Sequence, residues 1–153
     1  MKTLLALLFP FIAAAQTKDD LIGTWKLVTA WSIRPGGERT PMYGERPNGF
    51  LTYTREGRMI AILGNGERKR LSGNRATSPE AERAEAFSTM LSYGGTFSIE
   101  DNKVIHHVDI ATYPNFVGTD QVRYMKLDGD RLTLSVRGAN GQLTGELLWQ
   151  RLK

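Results

Sequence analysis

The most regular alternation of apolar and polar positions in the chain lies at residues 21–33, LIGTWKLVTAWSI. In an extended segment Trp25, Leu27, Thr29, Trp31 and Ile33 share one face, and Lys26, Val28, Ala30 and Ser32 the other. Two tryptophans on one face need a substantial core to lie against, so this is the expected first strand of a sheet. Seven more strand patterns follow. FLTYT at 50–54 and RMIAIL at 58–63 are joined by Arg55, Glu56 and Gly57, a link whose glycine suits the left-handed region. GTFSIE at 95–100, KVIHHVDI at 103–110, DQVRYMKL at 120–127, RLTLSVR at 131–137 and LTGELLWQRL at 143–152 complete the set.

One segment reads as a helix. Ser78 is the expected cap, Pro79 the first helical residue, and Glu80 and Glu82 favour the positive helix end. Ala84, Phe87, Met90 and Leu91 then form a single stripe, so the helix is expected to run to about residue 91 and to pack on the sheet or across a barrel end. It falls between the third and fourth strands. Strands do not alternate with helices, which argues against a parallel sheet. The prediction is an all-β fold: an eight-stranded antiparallel barrel whose closure removes exposed edges. Apolar groups on both faces agree with this. Val104, Val108 and Ile110 oppose Ile105, and Val122 and Tyr124 oppose Met125 and Leu127. A two-sheet sandwich would alternate similarly and is the competing architecture.

Composition adds the compartment. Residues 1–15 have the form of a secretory signal peptide: Lys2, an apolar run at 4–12, then Ala13, Ala14 and Ala15, with Gln16 as the first mature residue. The run is too short to span a bilayer, and no later stretch approaches that length. Residues 16–153 then form one barrel domain, expected in the periplasm or outside the cell, without stable membrane insertion. There is no cysteine, hence no disulfide and no thiolate metal ligand. Net charge is +4, ordinary for solubility. The one dense basic run, Arg68, Lys69 and Arg70, lies in a polar connection and reads as a solvated loop, so no nucleic-acid partner is expected.

The two histidines are adjacent, so on a regular strand they face opposite ways and cannot share one metal ion. His106 goes with Val104 and Val108 and is the interior candidate; His107 goes with Ile105 and Asp109. An inward His106 either hydrogen-bonds a neighbouring backbone group or tyrosine, contacts a ligand, or carries a proton. No metal or other cofactor is implied. Tyr113 and Phe116, in the loop after the histidine strand, either close a barrel mouth around a ligand or cap the core. Only one of Arg123 and Tyr124 faces the lumen. An inward Arg123 would select a carboxylate or phosphate, but the surface is its expected place, which leaves Tyr124 as a wall candidate. Tyr43 and Tyr53 are further wall candidates.

The opening Gly23-Thr24-Trp25 resembles the G-x-W of lipocalins. More closely, the chain is similar to the bacterial and fungal lipocalin-like domain family. The similarity is carried by Tyr43-Gly44 through Asn48-Gly49-Phe50-Leu51-Thr52-Tyr53, by Gly57-Arg58-Met59, and by Tyr93-Gly94-Gly95-Thr96-Phe97. It continues in His106-His107-Val108 through Tyr113-Pro114-Asn115-Phe116-Val117-Gly118-Thr119-Asp120-Gln121, and in Leu127-Asp128-Gly129-Asp130-Arg131-Leu132-Thr133-Leu134. The resemblance implies a calycin-type barrel with an internal cavity. It implies that Trp25 plugs the closed end under a late arginine, Arg151 by its place in the last strand, with Arg123 the rival. The lipocalin disulfide is missing, and the helix is not in the lipocalin position after the eighth strand.

Together these features point to an exported protein that holds a small apolar or aromatic molecule in its barrel. The enzymatic alternative is an isomerase or cyclase acting on a hydrophobic metabolite, with His106 as proton carrier and Tyr113 or Tyr124 binding an oxygen. A structural or interaction protein with a filled core is the third possibility.

Overall fold

The computed structural model describes residues 16–153; the expected signal segment at 1–15 lies outside them. The chain enters through a single helical turn, α1 (Lys18–Leu21), where the Asp20 carboxylate accepts hydrogen bonds from the Thr17 backbone N–H and hydroxyl. The strands are β1 (Gly23–Ile33), β2 (Arg39–Pro41), β3 (Pro47–Tyr53), β4 (Arg58–Asn65), β5 (Met90–Glu100), β6 (Lys103–Ala111), β7 (Asp120–Asp128), β8 (Arg131–Arg137) and β9 (Leu143–Arg151). Every pairing between them is antiparallel. Consecutive strands pair from β3 to β9, β1 pairs with both β3 and β9, and the sheet closes into an eight-stranded barrel. The short β2 pairs only with the far end of β1 and lies outside the ring of eight.

The helix requires a correction. Because β2 precedes it, α2 (Glu80–Ser88) lies between the fourth and fifth strands rather than the third and fourth. It is also shorter than the apolar stripe suggests. Met90 and Leu91 open β5 and pair with Gly64 and Leu63, so the cross-strand ladder takes them from the helix. No residue of α2 is buried, and Phe87 is half exposed. Ser78 does not cap it. Its hydroxyl donates to the Asn74 carbonyl and accepts from the Gly73 N–H, holding the preceding loop.

Three register shifts interrupt the ladders, one of them between β8 and β9 at Val136 and Arg137, and the other two change which side chains face inward. In β1 the register against β9 shifts between Leu27 and Thr29. Trp25 and Leu27 point inward, Val28 is exposed, and Ala30 rather than Trp31 is the next buried residue. In β6, Gly95 opposite pairs with Val108 and Gly94 with Ile110, which leaves Asp109 as the extra residue. Ile110 therefore turns outward, 70% exposed, instead of sharing the face of Val104. A Cβ at Gly95 would lie 1.8 Å from the His107 carbonyl oxygen, so the bulge needs glycine opposite it. Gly57 has a φ of +87° in the β3–β4 link, as the hairpin pattern requires. The core inside the barrel includes Trp25, Leu51, Tyr53, Met59, Val104, Leu132 and Trp149, all essentially inaccessible.

Candidate functional site

One end of the barrel is sealed. Trp25 is fully buried, and its indole N–H donates to the Leu21 carbonyl at 2.9 Å, tying α1 across the opening. The Arg151 guanidinium lies 4.1 Å from the Trp25 ring centroid. It donates to the carbonyls of Ile22 at 2.7 Å and Asp20 at 2.6 Å, and Asp130 sits 3.5 Å from its Nε. Arg151, not Arg123, is thus the arginine over the tryptophan.

The rest of the interior is not filled. A cavity of about 230 Å³ lies among Leu51, Ala61, Leu63, Leu134, Leu147 and Trp149, with Met42, Tyr43, Leu91 and Phe116 toward the other end. Four polar side chains reach its wall besides Tyr43: Tyr93, His106, Gln121 and Arg123. A larger open groove of about 510 Å³ runs between the 65–71 loop and α2, but it lies outside the barrel and mixes Arg68, Lys69 and Arg70 with Glu67, Glu82 and Glu85. Charges of both signs at a solvated surface offer no selective apolar site.

His106 is held inside by two tyrosines. Tyr53 Oη is 2.7 Å from its Nε2, and Tyr93 Oη is 3.0 Å from its Nδ1. Burial drives the His106 pKa well below the usual imidazole value, and nearby Arg123 and His107 push in the same direction. A neutral imidazole has one donor and one acceptor nitrogen. Tyr53 is fully buried and hydrogen-bonds only His106, so its hydroxyl proton has nowhere else to go. Donation from Tyr53 to Nε2 satisfies it; the opposite tautomer would strand that proton at a cost of about 1–3 kcal/mol. Nδ1–H then donates to the Tyr93 oxygen, and the proton of Tyr93 is left to face the cavity. Burial raises the Tyr93 pKa, with the neighbouring Arg123 opposing, so the hydroxyl stays a donor. Tyr43 is pushed up to about 12, mainly by burial.

Arg123 lines the cavity because β7 alternates about the buried Met125, and Gln121 and Arg123 share that parity. The surface position expected for Arg123 is corrected accordingly. Its guanidinium donates to the Val122 carbonyl at 3.0 Å and approaches Gln121 Oε1 at 3.5 Å. Among the described residues no carboxylate lies within salt-bridge distance of it. Trp149 is a second wall residue with an unused donor: its indole N–H is buried without an acceptor.

The other expected residues divide. Tyr43, His106 and Phe116 lie at the cavity wall. Tyr53 acts behind it, through His106 and by a tilted ring contact with Phe97, centroids 4.6 Å apart. Tyr113 is partly exposed and packs edge-on against Phe116, which in turn meets Tyr93. Tyr124 is corrected: it lies on the outer face of β7, under the Arg137 guanidinium at 4.8 Å. His107 also faces outward, between Ser98 Oγ at 2.9 Å and Asp120 Oδ1 at 2.6 Å. Sequence reasoning overlooked Tyr93 and Trp149. Tyr93 belongs to the stretch read as the end of the helix and its loop, and the only signal for it was the Tyr93-Gly94-Gly95 motif. Among the described residues no group of three or more His, Asp or Glu is placed to hold a metal, and no helix is long and apolar enough to cross a membrane.

A carrier protein for 4'-hydroxy-3'-methoxypropiophenone from Aspergillus oryzae (strain ATCC 42149 / RIB 40) is 38% identical over 64 residues, covering 37% of this chain and 58% of the relative. The chain thus spans a little over half the length of that carrier. Among solved structures, an uncharacterized protein from Bacteroides eggerthii DSM 20697 is 12% identical with a TM-score of 0.46, over 87% of this chain and all of that one. A variant of the fluorescent protein UnaG is 10% identical with a TM-score of 0.41, over 88% of this chain and 98% of its own. The model of the lipocalin-like domain matches residues 22–152, the whole barrel from the residue before β1 to the residue after β9, and the chain belongs to that family.

Proposed function

We propose that this protein binds a small, mainly apolar molecule, one aromatic ring in size, inside its barrel. The carrying observation is the cavity of about 230 Å³, apolar over most of its wall, with Tyr93 and Arg123 converging on it. An apolar cavity of about 150 Å³ accepts benzene, so this volume leaves room for one ring with a few substituents. The name of the Aspergillus relative, a carrier for a substituted phenyl ketone, supports a ligand of that size. Export to the periplasm or the extracellular space belongs to the same proposal and rests on residues 1–15. Intact mass of protein from a secreting host tests it: the expected species begins at Gln16, and a species retaining Met1 rejects it.

The isomerase or cyclase alternative needs His106 to carry a proton. Both of its ring nitrogens are engaged by tyrosines, and burial holds it neutral, which supports binding over proton transfer. The test of binding is to fill the cavity. Ala61 is buried at its wall, and Ala61→Phe puts a ring where the ligand ring would lie. Titration with propiophenone, followed by tryptophan fluorescence, is expected to saturate for the wild type and to weaken at least tenfold for Ala61→Phe, with the β-sheet circular dichroism retained. Equal affinity in the two proteins would place the ligand elsewhere.

A further inference from the structure

The polar groups on the cavity wall are unequal in kind. Tyr53 and Nδ1–H of His106 are satisfied within the protein, and the His106 acceptor nitrogen is used. Gln121 donates to Thr119 and turns its oxygen to Arg123, and the Tyr43 hydroxyl can both donate and accept, so what remains is mainly donors: the Tyr93 proton, the Trp149 indole N–H, and the guanidinium of Arg123. The guanidinium bonds its neighbour's carbonyl, makes a long contact to Gln121 and lies against the Tyr93 oxygen, from a group able to donate five. Among the described residues no carboxylate pairs with it, and neighbouring His106 is neutral, so the cavity wall carries one unpaired positive charge. A partly buried cation beside an apolar wall is stabilised by an anion far more than by a neutral acceptor.

We infer that the ligand is an acidic single-ring aromatic compound whose anionic oxygen, carboxylate or phenolate, docks between Arg123 and the Tyr93 hydroxyl, with a second acceptor atom reaching the Trp149 N–H. This rests on the reading that the barrel cavity is the ligand site, and adds the sign of the ligand's charge and the identity of its anchors. The ring lies between Leu51, Ala61, Leu134 and Leu147, and the charged end points toward Gln121 and Arg123. A ligand bearing a donor in place of the acceptor meets three donors and a positive charge, and is rejected.

The experiment is calorimetric titration of the whole mature protein with 3-phenylpropanoate, its methyl ester, and 3-phenylpropylamine, which share a ring and differ in the terminal group. The carboxylate is expected to bind about tenfold or more tighter than the ester, and the ammonium compound not at all. Arg123→Met is expected to bring the carboxylate-to-ester ratio to about one, and Arg123→Lys to restore part of it; a melting curve for each variant confirms that the barrel is folded. The phenolate source is separated with 4-nitrophenol, titrated at pH values either side of its own ionisation. Uptake of the yellow anion in preference to the neutral phenol supports the inference for phenolates, and carboxylate preference without it restricts the class to carboxylates. Equal binding of carboxylate and ester with no preference for nitrophenolate overturns the inference while leaving the cavity as a binding site. Tighter binding of the amine overturns it outright. Failure of all four compounds, together with propiophenone, overturns the cavity reading itself and the inference with it.

Discussion

Arg151 and Arg123 both project from strands of one barrel toward its interior, and their surroundings differ at almost every atom. Arg151 stacks on Trp25, donates to two backbone carbonyls, and has Asp130 beside it. Arg123 lines an apolar cavity, and besides one backbone bond to its own neighbour it meets only the neutral groups of Gln121 and Tyr93. A cation held like Arg151 closes a structure, because each of its three nitrogens has a partner within the fold. An unsaturated one leaves binding capacity for something that arrives later. The same contrast separates the adjacent histidines. His106 is buried between two tyrosines, whereas His107 is held between Ser98 and Asp120 on the outer face.

Mutations at the sealed end are expected to act on stability. Trp25→Ala removes one of the two fully buried tryptophans and is expected to cost about 3–5 kcal/mol, read by urea unfolding. A cost below about 1 kcal/mol would mean the plug is not part of the core. Arg151→Met keeps much of the stem but loses the charged bonds to Ile22 and Asp20 and the stacking on Trp25. The expected loss is about 2–3 kcal/mol, with the preference between ligand pairs intact. A change in that preference would join the two ends functionally and break the comparison.

Acid titration sharpens the contrast between the histidines. His106 has a folded pKa well below its ordinary 6.5, so between those two values the unfolded chain binds the proton and the native one does not. Stability then rises with pH in that window. It is fully present above pH 6.5 and falls as the pH drops below it, by up to about 1.4 kcal/mol per pH unit from this one group. Unfolding curves for His106→Phe between pH 7.5 and 5 are expected to show lower stability at the top of the range and a shallower decline. A decline of unchanged slope would assign the acid sensitivity to other groups. Asp120→Asn, by contrast, weakens only a solvent-exposed contact to His107 and is expected to cost about 0.2–1 kcal/mol. The smallest effect on stability is expected at Arg123. Arg123→Met is predicted to shift unfolding by no more than about 0.5 kcal/mol, since no ion pair is broken, and the chemical denaturation midpoint checks it. A loss comparable to that of Arg151→Met would show that Arg123 has a structural role.

Local pattern alone determined a good deal of this protein. Alternation located the strands of the closed barrel, Gly57 its first tight hairpin, and the parity of Val104, His106 and Val108 placed His106 inside. These are properties of one segment at a time, and a period of two is written into the residues themselves. Met125 even carried the parity that turns Arg123 inward, but a positive charge on a strand is ordinarily a surface group, and the chain offers no local hint that a cavity waits beside it. Tertiary structure decided the rest. The bulges at Leu27–Thr29 and at Asp109 arise from register between strands, and they reverse the faces of Trp31 and Ile110. Cross-strand pairing took Met90 and Leu91 from the helix into β5. Closure then brought Tyr53, Tyr93 and His106 from three strands into one hydrogen-bonded line and left the Trp149 N–H without an acceptor. Whether a buried donor is satisfied depends on what lies opposite it across the barrel, and that is a property of the closed sheet rather than of any strand.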